Sequence, residues 1–465
     1  MKRLAWLFVL GWLTAAWADP GAEGLVTQPF TGDLSQMAQR RLIRALVVYG
    51  QTDFFFIEGK PAGMQVDLLR EYEKFLNRGK KKETERITIA FVPVPFDELL
   101  PALAAGKGDI AAHFLTPTEG RLEKFEFISG GGKVNEVVVR HRGAPAVASL
   151  DDLAGKHFYV LSGSSYLEHL RALDRRLRAR GLAPMTIEVA DPKLRSEDIL
   201  ELVNAGVVAY TLVDDYKADL WAQVLPDIQI ERNAVVSQGS VGWTVRKENH
   251  ELAASLRKFS KKVKKGTLIG NMLFKRYYKT TRWIANPGEQ QERKRLGELI
   301  ELFKKYGRQY GFDYLALAAQ GYQESGLDQS RRSHRGAVGI MQLLPSTAAS
   351  KPVGIADITT PENNIHAGAK YLAFIRDRYF SDPAIKEDER MAFTWAAYNA
   401  GPAKVRKMRK LAEKMRLDPN RWFGHVEIAA GKLVGRETVR YVSNIHKYYV
   451  AYKLVSRLYS DDAIF

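Results

Sequence analysis

The sequence predicts an α/β half followed by a mainly helical half, and two observations support this division. From about residue 40 to 275, short runs rich in β-branched and aromatic residues alternate with amphipathic runs, as in "RITIAFVPV" followed by "FDELLPALAAG". Such alternation is typical of βαβ units and a parallel sheet. It stops at Asn286-Pro287-Gly288, a strong breaker, and the later pattern is helical. We therefore place a domain boundary near residue 285.

Length and charge narrow the possible functions. A chain of 465 residues is long enough for two or three domains. Its formal net charge of +17 predicts an anionic partner. Part of this charge is local, because the run from Lys404 to Arg421 has eight basic residues against Glu413 and Asp418. The run is compatible with a solvated helix face or with a polyanion contact.

The first residues predict a secretory signal, residues 1–18. Lys2 and Arg3 precede an apolar stretch from Leu4 to Leu13, and Ala16-Trp17-Ala18 has the small-x-small pattern of a cleavage site. The alternative, an uncleaved anchor, needs about 20 apolar residues, more than this stretch contains. We expect a soluble protein outside the cytoplasm, where phospholipid head groups and cell-wall polymer are the common polyanions and nucleic acid is not a partner.

The sequence contains no cysteine, so disulfides and a lipid-bearing cysteine are excluded. Any membrane association is therefore expected to be peripheral. No cluster with metal-ligand spacing, phosphate-binding loop or Ser-His-Asp arrangement stands out, so we expect neither a metal nor a cofactor.

Several segments of residues 40–280 carry a family resemblance. The segments "GMQVDLL" (63–69), "LLPALAAGKGDIAAHFLTPTEGRLEKFEF" (99–127) and "LVNAGVVAYTLVDD" (202–215) are individually loose, but their order and spacing are specific. This region resembles the bacterial extracellular solute-binding proteins of the amino-acid-binding type. The resemblance implies a periplasmic-binding-protein-like fold of two α/β lobes with a ligand between them.

Two residues match ligand positions of that family, and a third is a candidate because of its place before a helix. Arg121 falls at the arginine that binds the ligand carboxylate, a role that suits the bidentate guanidinium. Asp214 falls at the acid that holds the α-amino group. Ser164 lies in a turn before a helical pattern, where backbone N–H groups favour anions. The alternative for Arg121 and Asp214 is a role in surface ion pairs.

Glu324 is the candidate catalytic residue of the helical half. The segment "YLALAAQGYQ" between Asp313 and Glu324 has no charge, which predicts a buried helix with Asp313 as its N-cap. A carboxyl group at the end of such a helix is desolvated, which raises its pKa and suits a general acid. The alternative is a glutamate capped by local N–H groups or paired with a basic residue such as Arg331.

Three ordered motifs give the second resemblance. The first combines Glu324-Ser325 with Ser333, Gly336-Ala337 and the segment 339–342; the second is "AAYNAGPAKV" (396–405) and the third is "ETVRYV" (437–442). Residues 290–465 therefore resemble the lysozyme-like lytic transglycosylases of the goose-type lysozyme superfamily. The resemblance implies a mainly α, lysozyme-like domain. Gly336 and Gly339 are expected to permit a tight turn.

The resemblance also implies a reaction. Glu324 would protonate the glycosidic oxygen between N-acetylmuramic acid and N-acetylglucosamine in peptidoglycan glycan strands. It would then act as the base on the muramic C6 hydroxyl, so that the product is 1,6-anhydromuramic acid and no water is consumed. Ser333, Gln342, Tyr398 and Asn399 match substrate-binding positions of the family. The third motif adds an acid, Glu437, as a peptide-stem or supporting contact.

A secreted chain with these two domains in this order is expected in the periplasm, peripherally associated with the outer membrane. Two alternatives stay open: a peptidoglycan or solute receptor without activity, and a hydrolytic lysozyme. We also hypothesise that an amino acid or muropeptide binds through Arg121 and Asp214 and alters access to Glu324 across the linker near Pro287.

Overall fold

The computed structural model describes residues 26, 28–130, 132–264, 266–278 and 292–458. The predicted signal segment, the boundary near residue 285 and Pro287 lie outside these residues. The described residues form two compact units. The first contains the residues up to Phe54, Ala62–Lys133 and Gly239–Tyr277, and the second contains Phe55–Pro61, Val134–Gln238 and the residues from Tyr278 onward.

The described residues contain strands and helices with the following bounds. The strands are β1 (Leu42–Val47), β2 (Phe55–Ile57), β3 (Lys60–Ala62), β4 (Thr88–Pro93), β5 (Ile110–Leu115), β6 (Phe125–Ser129), β7 (Val134–His141), β8 (His157–Val160), β9 (Thr186–Val189), β10 (Tyr210–Asp214), β11 (Ile228–Gly239) and β12 (Gly242–Arg246). The helices are α1 (Leu34–Arg40), α2 (Met64–Leu76), α3 (Leu99–Ala104), α4 (Glu119–Leu122), α5 (Ser165–Ala179), α6 (Ser196–Asn204), α7 (Asp215–Trp221), α8 (His250–Val263), α9 (Leu268–Tyr278), α10 (Glu292–Tyr310), α11 (Tyr314–Ser325), α12 (Pro345–Ala349), α13 (Pro361–Tyr379), α14 (Glu387–Ala400), α15 (Pro402–Lys414), α16 (Glu427–Val434) and α17 (Arg436–Leu458).

Each unit has a five-stranded sheet, and both sheets are mixed where the sequence predicts parallel ones. In the first, with the order β4-β1-β5-β12-β6, β1 is parallel to β4 and β5, whereas β12 is antiparallel to its neighbours. In the second, with the order β11-β7-β10-β8-β9, β10 is parallel to β8 and antiparallel to β7. Both β7 and β12 follow the preceding strand without an intervening helix. Each of these direct connections joins the two sheets, because β6 and β12 belong to the first sheet and β7 and β11 belong to the second. In the sheet that it enters, β7 pairs antiparallel with β10, and β12 with β5 and β6.

The first sheet is covered on both faces. Residues Ile43 to Val47 of β1 are all buried, as expected for a central strand of an α/β sheet. Arg44 is buried in this strand because its guanidinium pairs with the buried carboxylate of Asp109 at 2.8 Å. A charge without such a partner would be costly to bury.

The helical part of the second unit packs around α10 and α11. Five apolar residues of α10 recur at the spacing of an amphipathic helix, and all are buried; they are Leu296, Leu299, Ile300, Phe303 and Tyr306. Phe303 packs in the same apolar core as Met341 and Ile365, and all three are almost completely buried. The core therefore fixes both the helix that carries Glu324 and the loop that follows it.

Within the second unit, the second sheet and its helix α6 contact the helical part mainly through charged groups. Lys447 of α17 donates a hydrogen bond to Glu201 of α6, and both side chains are buried. Lys193 Nζ lies 2.8 Å from Asp388, at the beginning of α14. The second sheet, although it lies in the α/β half of the sequence, therefore forms one compact unit with the helical half.

Candidate active site

Helix α11 carries Glu324 in its last turn. The side chain of Asp313 accepts a hydrogen bond from Leu315 N at 2.9 Å, which confirms the predicted N-cap. Residues 315–321 are all buried, which confirms the predicted buried helix. The helix ends at Gly326, whose left-handed φ of +68° favours glycine. Glu324 thus extends from a rigid, buried helix.

The surroundings of Glu324 favour its protonated form. Its carboxyl group is half-buried and accepts a hydrogen bond of 2.5 Å from the hydroxyl of Tyr441. Burial raises the pKa of Glu324 to about 7, although the hydrogen bond from Tyr441 partly opposes this. Among the described residues no cation forms an ion pair with Glu324, and Arg331 is exposed. A carboxyl group with this pKa can donate and then recover a proton near neutral pH.

The loop after α11 is held against the helix end by polar contacts. Ser325 Oγ donates to the carbonyl of Ile340 at 2.9 Å. The buried side chain of Asn364 accepts from Met341 N at 2.8 Å and donates to the Val338 carbonyl at 2.9 Å. Gly339 has a φ of +77°, and a Cβ there would lie 2.4 Å from Asn364 Nδ2. The tight turn therefore requires glycine at this position, as the first motif predicts.

Two predicted substrate residues lie at this loop. Tyr398 donates to the Met341 carbonyl at 2.7 Å, and burial followed by the charge of Glu324 raises the pKa of Tyr398 well above its usual value. Its hydroxyl thus bonds to the loop and not to the carboxyl group of Glu324. Gln342 donates from Nε2 to the Gly339 carbonyl at 2.9 Å. Both side chains therefore stand beside Glu324 or its supporting loop.

The remaining predicted substrate residues are exposed. Ser333 lies on the outer turn of the loop, where its Oγ accepts from Ala337 N at 3.0 Å. Asn399, at the end of α14, accepts from Thr438 Oγ1 at 2.8 Å, which joins the second motif to the third. Glu437 lies in the first turn of α17 and makes no hydrogen bond or ion pair with another described residue. All three residues are exposed to solvent.

Sequence reasoning missed three residues that shape this site. Tyr441 contacts Glu324 directly, and its position in "ETVRYV" was the available signal. Asn364 holds the loop, but nothing nearby in the sequence marks it. Gln320 is fully buried one helical turn before Glu324, and its amide lies against the hydroxyl of Tyr441. Its polarity inside an apolar run was the available signal.

Comparison with known proteins matches both halves of the chain. Residues 46–279 match the bacterial extracellular solute-binding proteins, family 3, and residues 301–419 match the transglycosylase SLT domain. A membrane-bound lytic murein transglycosylase F from Shewanella sediminis is 30% identical over 375 residues, which cover 76% of this chain and 74% of the relative. This chain belongs to the membrane-bound lytic murein transglycosylase F family.

Other members of the lytic murein transglycosylase F family match over most of their length. The relative from Pseudomonas fluorescens strain Pf-5 is 29% identical, with 91% of this chain and 87% of the relative covered. The relative from Desulfosudis oleivorans is 28% identical, with 90% and 91% covered. Among solved structures, an amino acid ABC transporter substrate-binding protein from Streptococcus pneumoniae aligns with 53% of this chain and 98% of its own, at 17% identity and a TM-score of 0.43.

In this member of the lytic murein transglycosylase F family, Arg121 belongs to the first compact unit. It lies on the short helix α4 and is buried, with 7% of its surface exposed. Its Nη1 donates to the Thr116 carbonyl at 3.0 Å. The hydroxyl of Thr118 caps the helix by accepting from Arg121 N at 3.4 Å. The guanidinium is therefore held in place by its own loop.

Asp214 and Ser164 belong to the second unit. Asp214 is at the end of β10 with 2% of its surface exposed, and its Oδ1 has no hydrogen-bond partner among the described residues. Burial raises the pKa of Asp214 to about 6, although Lys217 opposes this. Ser164 immediately precedes α5, as predicted, and its Oγ donates to the Leu161 carbonyl at 2.7 Å. The Ser164 hydroxyl is therefore occupied by a local hydrogen bond, so the predicted anion contact would fall to the backbone N–H groups at the start of α5.

The described residues contain no group of three or more His, Asp or Glu side chains placed to hold a metal ion. In the same residues, no helix combines the length and apolar character needed to cross a membrane.

Proposed function

We propose that this protein is a peptidoglycan lytic transglycosylase in which Glu324 is both general acid and general base. The observation that carries the proposal is a half-buried carboxyl group whose pKa is raised to about 7 and whose hydrogen-bond partner is a neutral phenol. A protonated Glu324 donates its proton to the glycosidic oxygen between N-acetylmuramic acid and N-acetylglucosamine. The resulting carboxylate then accepts the proton of the muramic C6 hydroxyl, which closes onto C1 as the 1,6-anhydro ring forms.

The reaction needs one protein carboxylate if the substrate supplies the other group. Glycosidases with two protein carboxylates use the second as a base or nucleophile. Asp328 is the nearest acid along the chain, but hydrogen bonds from Ser330 hold its pKa below the usual value and occupy its Oδ1. We assign the second role to the N-acetyl carbonyl of the sugar, which can attack C1 as the bond breaks.

The exposed residues of the motifs are proposed to position the glycan. Ser333 and Gln342 offer a hydroxyl and an amide to the sugar next to the cleaved bond. Tyr398 holds the Met341 carbonyl, so it shapes the cleft from the loop side. Asn399 and Glu437 lie where the second and third motifs meet, and the exposed acid of Glu437 suits an amino group of a peptide stem.

The products of digestion test the reaction. Purified sacculi are incubated with the protein, and the soluble muropeptides are identified by mass spectrometry. We expect 1,6-anhydromuropeptides. Products that end in reducing N-acetylmuramic acid would make the protein a hydrolytic lysozyme, and an undigested sacculus would favour a receptor without activity.

We propose that the N-terminal half binds an amino acid or a muropeptide that regulates the enzyme. The buried carboxyl group of Asp214 is suited to an ammonium group, and the fixed guanidinium of Arg121 to a carboxylate. Calorimetry with stem peptides, combined with turnover measurements for wild type and Arg121→Ala, tests this. We expect binding that changes turnover and is lost in Arg121→Ala; binding without any change in turnover contradicts a regulatory role.

The location is proposed to be the periplasm, with peripheral association to the outer membrane. The absence of cysteine and the basic net charge both support attachment through charge rather than through a lipid. Fractionation of cells, followed by a high-salt wash of the membranes, tests this. We expect salt to release the protein, whereas release by detergent alone contradicts peripheral attachment.

A further inference from the structure

Helix α15 has a basic surface that the proposed reaction does not use. Four residues define this surface, which we call the α15 basic face: Arg406, Lys407, Lys410 and Lys414. All four are exposed, and none makes an ion pair or hydrogen bond with another described residue. Their spacing of three and four residues places them on one side of the helix, over a length of about 12 Å. The basic run seen in the sequence is therefore ordered into one surface.

One basic residue of the same run behaves differently. Arg409 is half-buried, donates to the Pro419 carbonyl at 2.8 Å and lies over the ring of Phe393 at 5.5 Å. Packing therefore explains Arg409 but not the four residues of the α15 basic face.

The charge distribution of α15 opposes the stability of the helix. Its first turn has Lys404 and no acid, although the positive end of a helix dipole favours acids. The neighbouring helix α14 follows the favourable rule, with Glu387, Asp388 and Glu389 in its first turn. Like charges three and four residues apart on α15 repel each other as well. An external anion that lies along the face would relieve this repulsion.

The position of α15 indicates which anion. Gly401 ends α14 and caps the start of α15, so the helix begins just after the second-motif residues Tyr398 and Asn399. The beginning of this helix is thus joined directly to the segment that carries Tyr398, which lies near Glu324. The opposite, apolar face of α15 is buried in the domain through Val405, Met408 and Ala412. A membrane-surface helix inserts its apolar face into the bilayer. The apolar face of α15 is not available for this, because it is buried.

We propose that the α15 basic face binds the carboxylates of peptidoglycan peptide stems and so holds the polymer beside the cleft. The inference rests on the proposed function, because it takes peptidoglycan as the polymer at Glu324. It assigns to this helix a contact with the peptide part of the substrate, separate from the glycan contacts of the motifs. The contact is electrostatic, so it weakens as salt rises.

The test measures binding rather than turnover. The full chain with Glu324→Gln leaves sacculi intact, and it is compared with the same chain carrying Lys407→Gln, Lys410→Gln and Lys414→Gln. A matched control carries Arg171→Gln, Arg175→Gln and Arg176→Gln, which remove three exposed charges from α5. Each protein is sedimented with intact sacculi and with phosphatidylglycerol vesicles, and is titrated against the soluble, peptide-free glycan strands that an amidase releases, at low and high salt.

We expect the α15 variant to bind intact sacculi roughly tenfold more weakly at low salt, the effect of three exposed ion pairs. The difference should disappear at high salt and on peptide-free glycan, and the α5 control should bind like the parent. Unchanged binding to intact sacculi would overturn the proposal, as would a loss that persists without peptide stems or affects vesicles alone. A lowered midpoint of thermal unfolding would assign the lysines to the fold instead. A failure of the proposed function would be seen in a different experiment: the unsubstituted protein, which retains Glu324, would release no anhydromuropeptides from sacculi.

Discussion

Helix α17 contacts two glutamates that the fold removes from water, and it gives them opposite partners. Glu324 receives the neutral hydroxyl of Tyr441, whereas Glu201 receives the ammonium group of Lys447 six residues later on the same helix. Burial alone lowers the pKa of Lys447, but the carboxylate of Glu201 raises it overall, so the lysine stays charged. The pair with a cation is structural, and the carboxyl group without one is free to exchange a proton.

The comparison shows that two glutamates in one fold differ in behaviour because packing gives them different partners. Burial raises the pKa of both acids; the ammonium group of Lys447 opposes the rise at Glu201, and the phenol of Tyr441 opposes it at Glu324. Of the two acids, only Glu201 forms an ion pair with a described cation. Glu201 therefore fastens α6 to α17, and Glu324 retains a pKa near the pH at which proton transfer is most effective.

Glu324→Gln should have the largest effect. The substitution keeps the shape of the side chain but removes the acid, so turnover should fall by at least about 10²- to 10⁴-fold. Mass spectrometry of anhydromuropeptides measures this. Asp328→Asn is the control, because the Oδ1 of Asp328 is bound by Ser330 N at 2.8 Å, and it should retain most activity. Appreciable activity of Glu324→Gln would contradict the assignment of the acid.

Lys447→Met should affect stability rather than chemistry. It leaves the carboxylate of Glu201 buried without its cation, a loss of about 3–5 kcal/mol in the free energy of unfolding. Denaturant unfolding measures the change.

Two variants provide the controls for this prediction. Lys453→Met on the same helix removes a half-buried lysine bonded only to the neutral Tyr449 hydroxyl, so it should cost less than about 1 kcal/mol. Adding Glu201→Leu to Lys447→Met should restore most of the stability. If Lys447→Met lowered the free energy of unfolding no more than Lys453→Met does, the ion pair of Glu201 would not be a structural contact, and this difference from Glu324 would be lost.

The pH dependence should follow Glu324. Since its pKa in the folded protein is raised to about 7 from an ordinary 4.5, activity should fall as pH rises through 7 and the acid loses its proton. The same raised pKa means that stability is greatest below pH 4.5 and declines as pH rises through 7, by up to about 3 kcal/mol from this group. Unfolding measured across this range should lose that decline in Glu324→Gln. An unchanged decline would assign it to other groups.

Tyr441→Phe should have the smallest effect and a specific direction. Loss of its hydrogen bond removes support for the carboxylate, so the pKa of Glu324 rises further and the activity profile moves to higher pH. Turnover should fall about tenfold, the contribution of one such bond. Tyr449→Phe is the control. Tyr449 lies on the same helix as Tyr441, but its hydroxyl donates to Asp313 at 2.7 Å. A profile that shifts equally in both variants would contradict a specific role for Tyr441.

Local sequence was sufficient for the helix of Glu324 and the turn after it. Asp313, the apolar run and Gly326 are consecutive features of one helix, and the glycines of the first motif report backbone conformations that other residues rarely adopt. The prediction of wholly parallel sheets was wrong, because alternation of elements along the chain does not show where a strand passes from one sheet into the other. β7 and β12 pass in this way, and each pairs antiparallel in the sheet that it enters.

By itself, the sequence determined the order of an α/β and a helical half, and it predicted Glu324 as the acid together with the motif residues around it. The tertiary structure decided which side chains meet: Tyr441 reaches Glu324 across 117 residues, and Lys447 reaches Glu201 across 246. The reason is physical. Helix caps, burial patterns and turns depend on residues a few positions apart, whereas the pKa of a buried acid depends on groups that packing brings from distant parts of the chain.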